Sequence, residues 1–196
     1  MLITVLKPND EILSLVGKRT VAIVCSGCQE LDFPENDVPF MLDDMVVDGT
    51  VSAVIKSVYV CSPALQELYI NKHIRKIETA DTLLVFSCGV GMQNITKMLT
   101  EKGFKIDSSD HGLFVHTACD TLTLPGNQGV TPSEFNCIGC DSCHLNETAG
   151  ICPVTACSKC STNGQCGGSK NGKCEVDKDM DCAWEKITAR LERFKG

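Results

Sequence analysis

The chain has 196 residues, of which 43% are hydrophobic, and a formal net charge of −7. That length suits one ordinary domain with a buried core plus a small appendage. The acidic balance argues against nucleic acid as a main partner, since phosphate binding needs a basic surface, and no stretch is long and apolar enough to span a bilayer.

Met1–Lys18 has no apolar run of the secretory kind, so a cytoplasmic, reducing compartment is expected. There the 14 cysteines are expected to bind metal, because disulfides rarely persist in such a compartment.

Residues 1–130 read as an α/β domain. Thr20–Cys25, Ala53–Cys61 and Thr82–Cys88 are apolar runs of strand character, and Gly112–Thr117 is a weaker fourth. Ser62-Pro63 reads as an N-cap followed by proline at the first helical position. The helix behind it is predicted to set Leu65, Leu68 and Tyr69 on one face and Ile70, Ile74 and Ile77 on a neighbouring stripe. A second helix is predicted over Gly91–Lys102, with Ile95, Met98 and Leu99 inward and Gly103 closing it. Strands alternating with helices predict a parallel sheet of Rossmann or flavodoxin-like type.

Cys25, Cys28, Cys61 and Cys88 each fall at, or just past, the C-terminal end of a predicted strand. Any one alone would read as a small buried hydrophobe. Together they point to the edge where ligands collect in open parallel sheets. A metal centre, either a cluster or zinc, is expected on these four, with Cys119 after the fourth strand as an alternative ligand. Cys88-Gly89-Val90-Gly91 carries part of a dinucleotide loop, but its third glycine is replaced by Asn94 and the expected acidic residue is missing. The glycines are read instead as letting backbone N–H groups approach a metal centre.

Residues 131–182 change character and hold nine cysteines. The run opens Cys137-Ile-Gly-Cys140-Asp-Ser-Cys143 and continues with Cys152-Pro153, Cys157, Cys160, Cys166, Cys174 and Cys182. Two C-x2-C steps sharing a central cysteine can put three thiolates on one face of a small cubane, and Cys-Pro is the usual remote member. Closed zinc sites more often use two separated C-x2-C pairs, so the run favours [4Fe–4S]. Cys152 stands nine positions after Cys143, a longer gap than in ferredoxins. Nine thiols fit two four-cysteine clusters with one over. The ferredoxin logic joins Cys137, Cys140 and Cys143 to a distant cysteine, puts Cys152 with part of the later group Cys157, Cys166, Cys174 and Cys182, and leaves Cys160 spare. His144 is read as outside the ligand set.

Asn163-Gly164, Gly167-Gly168 and Asn171-Gly172 are turn signals. A segment so poor in aliphatic residues is expected to need metal ligation for its stability. The fold class expected is therefore a parallel-sheet α/β domain, 1–130, plus a Cys-rich, metal-stabilised C-terminal module, 131–196, ending in a helix. That helix is predicted over Asp181–Lys195, with Asp181 as cap and Trp184, Ile187, Leu191 and Phe194 covering a core.

Four segments carry a resemblance: Gly150-Ile151-Cys152-Pro153-Val154-Thr155-x-Cys157, Asn163-Gly164-x-Cys166-Gly167-Gly168, Asn171-Gly172-Lys173-Cys174-Glu175-Val176 and Asp181-Cys182-Ala183-Trp184. They resemble the methylenetetrahydrofolate reductase C-terminal family, the small iron–sulfur subunits of acetogen-type reductases. The resemblance is close over residues 137–192. Upstream, Cys25-x-x-Cys28, Cys61 and Cys88 stand where that family carries cysteines, whereas Gln29–Asn36 departs from its pattern.

The resemblance implies a redox relay with no catalytic residue of its own. It implies two [4Fe–4S] clusters in the tail, on Cys137, Cys140, Cys143, Cys152, Cys157, Cys166, Cys174 and Cys182. It implies a MetF-like flavoprotein partner that holds FMN and reduces methylenetetrahydrofolate, and a ferredoxin or another redox subunit as electron donor. The alternative is a structural or assembly subunit in which zinc or clusters serve only stability. A corrinoid- or nucleotide-binding reading finds no supporting pattern around His111 or His116.

Overall fold

The computed structural model describes residues 2–26, 31–34, 36–106, 112–123 and 137–192. The elements run β1 (Leu2–Leu6), α1 (Asn9–Ser14), β2 (Thr20–Ser26), β3 (Leu31–Asp32), α2 (Asp37–Val47), β4 (Val51–Val58), α3 (Pro63–Thr79), β5 (Thr82–Phe86), α4 (Gly89–Glu101), β6 (Phe114–Thr117) and β7 (Cys119–Thr123). The tail adds a 3₁₀ turn (His144–Asn146), α5 (Pro153–Ala156), β8 (Ser169–Lys170), β9 (Lys173–Cys174) and α6 (Ala183–Glu192).

The central sheet has the order β4-β2-β5-β6, and every pairing in it is parallel. Its middle strands are near-continuous apolar runs because both faces are covered. From β2, Val21, Ile23 and Cys25 enter one core with Ile70, Ile77, Ile95 and Leu99 of α3 and α4. Ala22 and Val24 enter the other, with Ile12, Val38, Leu42 and Met45 of α1 and α2. The chain passes from β4 to β5 across β2, so the strand order reverses between β2 and β5. The crevice outside the strand ends at such a reversal is where open α/β sheets collect ligands.

A second, small sheet was not expected. β1 lies between β3, to which it is parallel, and β7, to which it is antiparallel. Leu2–Leu6 and Cys119–Thr123 are short, mix threonine with apolar residues and pair from opposite ends of the domain, so no local signal joins them. The reading of 1–130 as strands of one parallel sheet is corrected to that extent, and α1 and α2 are further elements it lacked.

On α3 the apolar stripe is Ile70 and Ile77, while Leu68 is 68% exposed, which corrects its assignment to a packed face. Gln66 is buried in its place. Its Nε2 donates to Ser57 Oγ at 2.7 Å and to the carbonyls of Val58 and Tyr59 at 3.2 and 3.4 Å. These bonds end β4 at Val58, three residues earlier than expected, and Tyr59 turns at φ +46°. Asn94 Nδ2 donates to the Val60 carbonyl at 2.8 Å. Cys61 is thus held beyond the strand by two buried amides. Gly103, at φ +88°, closes α4 as predicted.

The tail rests on the C-terminal edge of the central sheet. Leu145 is 2% exposed and belongs to the main core. Asn146 clamps β6, its Oδ1 accepting from the Thr117 N–H at 2.7 Å and its Nδ2 donating to the Thr117 carbonyl at 3.2 Å. Asn171 and Gly172, at φ +54° and +78°, make the two-residue turn joining β8 to β9, as that dipeptide favours. In α6, Ile187 is fully buried and Trp184 Nε1 donates to the Ser161 carbonyl at 2.8 Å. Asp181 pairs with Lys173 and Lys186, each at 2.7 Å. Phe194 lies outside the described residues. Among the described residues no helix is long and apolar enough to cross a membrane.

Candidate metal centres

Cys137, Cys140, Cys143 and Cys152 line one cavity, walled also by Ile138, Leu145 and Val154. Several elements bring them there. Cys140 bridges to Leu122 of β7, and the Asp141 N–H donates to the Thr121 carbonyl at 3.3 Å. The Cys143 N–H donates to Asp120 Oδ1 at 2.9 Å. Gly89, the first residue of α4, donates its N–H to Thr121 Oγ1 at 3.1 Å. A Cβ on Gly89 would lie 3.1 Å from Cys137 Sγ, so glycine lets the tail thiol sit against the helix start.

Burial pushes the Cys143 thiol up to about 12 and Cys137 up to about 11, and it raises Cys140 as well. Opposing this, the backbone N–H of Leu145 bonds Cys143 and that of Gly139 bonds Cys137. Thiols held so high keep their protons at neutral pH unless a metal cation displaces them.

Cys157, Cys166, Cys174 and Cys182 line a second cavity, with Glu175, Asp181 and Trp184 among its walls. The hairpin and its surroundings set their spacing: the Cys174 N–H donates to the Met180 carbonyl at 2.9 Å and the Cys182 N–H to the Gly172 carbonyl at 2.8 Å. The Gly168 N–H reaches Cys166 Sγ at 3.4 Å. Here a thiol is pulled down: Ser158 Oγ, 3.1 Å from Cys174 Sγ, and the N–H groups of Val176 and Asp177 favour the Cys174 thiolate.

The structure therefore groups the tail thiols differently from the ferredoxin logic. Cys152 lies with Cys137, Cys140 and Cys143, not with the later four. The reason is α5, whose single turn separates Cys152 from Cys157 and directs them to different cavities. Cys160 is exposed, turns at φ +50° and lines neither cavity. His144 lines the first cavity beside the thiols, with its Nδ1 3.3 Å from Glu147 Oε2.

Of the upstream set, Cys61 and Cys88 share a buried cluster with Val90, and Cys137 of the tail packs against it. Cys25 is buried in the adjoining main core, against which Cys143 and Cys152 pack. Cys119 is 1% exposed, and burial, with Asp120, Cys88 and Cys143 nearby, drives its thiol far up. Cys25, Cys61, Cys88 and Cys119 thus all stand at the C-terminal edge of the parallel sheet, and Cys88 and Cys119 lie near thiols of the first cavity. Cys28 and His111 lie outside the described residues.

Among the described residues no cysteine forms a disulfide, and no group of three or more His, Cys, Asp or Glu side chains is arranged to hold a metal ion. Each cavity nonetheless presents four thiols, and the first has no carboxylate in its wall. That soft donor set fits zinc or iron–sulfur. The residues missed from sequence are Gln66, Asp120 and Lys7. Only Asp120 had a signal, its place beside Cys119; Lys7 acts across to the distant strand β7, and Gln66 bonds the chain at the end of β4.

An open parallel sheet with one four-thiol cavity at its C-terminal edge and a second in the tail beyond defines a cysteine-rich α/β protein. Residues 116–196 match the family model described as "Methylene-tetrahydrofolate reductase C terminal". The match begins in β6 and so takes in the edge residues Cys119 and Asp120 together with the whole tail. No curated protein and no solved structure matches the chain.

Proposed function

We propose that this chain is the small, MetV-like iron–sulfur subunit of a methylenetetrahydrofolate reductase, relaying electrons to the FMN of a MetF-like flavoprotein. The observation that carries this reading is the pair of four-thiol cavities whose cysteines all lie within the segment that matches the family. Cys137, Cys140, Cys143 and Cys152 would hold one [4Fe–4S] cluster; Cys157, Cys166, Cys174 and Cys182 would hold the other. Cys25, Cys28, Cys61 and Cys88 are proposed to hold a third centre, cluster or zinc. Such a cluster, when bound, exchanges single electrons with little rearrangement of its ligands.

The chain's own residues fit that task. N–H groups of Gly139, Leu145 and Gly168 point at cysteine sulfurs and would steady negative charge there. Ile138, Leu145 and Val154 give the first cavity apolar walls. The division into an α/β domain, 1–130, and a metal-stabilised module, 131–196, belongs to the same proposal, as does a ferredoxin or another redox subunit as donor. No residue is assigned a catalytic role, because reduction of the folate would take place on the partner.

Anaerobic purification tests the reading. The protein is expected to be brown, with about eight irons per chain for two four-iron clusters. A colourless, zinc-only protein would favour the structural alternative and overturn the relay. In complex with the flavoprotein, Cys137→Ser or Cys166→Ser is expected to slow flavin reduction. Unchanged flavin reduction with verified cluster loss would also sink the relay.

A further inference from the structure

We propose that the buried Lys7–Asp120 ion pair sets the reduction potential of the group held by Cys137, Cys140, Cys143 and Cys152, an inference that rests on the iron–sulfur reading above. Lys7 is 7% exposed, and lysine is almost never so buried unless paired. Its Nζ lies 2.7 Å from Glu11 Oε1 and 3.1 Å from Asp120 Oδ1. The same Asp120 oxygen accepts the Cys143 N–H at 2.9 Å. One carboxylate oxygen thus joins a fixed ammonium to the backbone of the cysteine run.

Sheet register holds the arrangement in place. Leu6 pairs with Cys119 and Val5 with Asp120 across β1 and β7, and the Lys7 N–H donates to the Ala118 carbonyl at 3.0 Å. Burial works against the Lys7 charge, but the bonds to Glu11 and Asp120 outweigh it and hold the ammonium above its ordinary value. Lys7 and Asp120, with side chains 6% and 15% exposed, are screened less than charges on the open surface. Removing the positive charge makes an added electron less favourable, and removing the negative charge does the reverse.

The second cavity repeats the device in the open. Glu175 Oε1 accepts the Gly167 N–H at 3.0 Å, next to Cys166, and also takes the Lys159 ammonium. Lys159 and Glu175 side chains are 46% and 30% exposed, so water and salt weaken their field. This pair is a built-in comparison for the buried one.

The test is a potentiometric titration of the anaerobically purified full chain, followed by EPR, with iron per chain measured first. Lys7→Met is expected to lower one midpoint potential by a tenfold change in the reduction equilibrium, about 59 mV for one electron. Asp120→Asn is expected to raise that same potential while keeping an oxygen for the Cys143 N–H. Lys7→Arg should restore the wild-type value, and Lys159→Met should move the other potential by less. An unchanged potential in Lys7→Met at wild-type iron content overturns the inference and leaves the iron–sulfur reading standing. Wild-type protein without iron overturns that reading. If Lys7→Met does not load iron, Asp120→Asn decides, and an unchanged or lowered potential there is fatal to the inference.

Discussion

Cys143 and Cys174 occupy comparable places in two four-cysteine cavities, yet their thiols are driven in opposite directions. Cys143 sits on the sheet edge, where burial raises its thiol to about 12. Cys174 sits in a hairpin, where Ser158 and two backbone N–H groups lower it. The first cavity borrows its walls from the α/β core, through Leu145, Gly89 and Thr121. The second is built almost wholly from turns and one helix of the tail. One donor set can thus be stabilised by packing in one place and by hydrogen bonds and ligation in the other. The first should therefore keep its shape better without metal than the second.

The largest expected effect separates the two cavities directly. Stripping metal from the anaerobic protein with a chelator should make residues 157–182 cleavable by protease, while 137–152 stays protected on the sheet. Ligation of a small Cys-rich site is worth about 10 kcal/mol or more to its folding, and the second cavity has little else to hold it. Simultaneous cleavage of both segments would break the comparison.

Next is the packing anchor. Leu145→Ala should destabilise the chain by about 2–5 kcal/mol, the usual cost of emptying a buried leucine site. Val176→Ala, at a side chain 59% exposed beside the second cavity, should change stability by less than about 0.5 kcal/mol. Urea unfolding of both variants measures the contrast, and equal losses would remove the distinction between a core-borne and a tail-borne site.

A smaller effect is expected at Asn146. Its replacement by Ala strands the Thr117 N–H and carbonyl, which should cost about 1–3 kcal/mol and loosen the first cavity before the second. Hydrogen exchange at Cys143 and Leu145, compared with Cys174, reads this order.

The smallest expected effect belongs to the sheet alone. His116 in β6 has a buried Nδ1 without a partner, and burial lowers its affinity for a proton below the ordinary value of 6.5. The unfolded chain takes up that proton first, so stability should fall as pH drops below 6.5 and level off beneath the folded value. His116→Gln should flatten that part of the stability profile, and an unchanged slope would move the effect elsewhere.

Much of this was legible in the residues themselves. The apolar runs TVAIVC and TLLVF announce buried parallel strands, Ser62-Pro63 a helix start and Asn171-Gly172 a hairpin, because each depends on backbone preferences local to a few positions. The eight thiols picked out by their spacing are the ones that line the two cavities, and Cys160 lines neither. Their grouping could not be read, since spacing does not say which way the turn α5 points Cys152 and Cys157.

The pairing of β1 with β7 was equally hidden, because it depends on register between segments far apart in the chain. Lys7 and Asp120 take their roles only once that register exists. The amino-acid order by itself therefore determined the strands of the parallel sheet, the helices α3 and α4 and the cysteines that line the cavities. Only the tertiary structure decided which thiols share a cavity and which charge stands beside them, because both depend on long-range packing that no local pattern encodes.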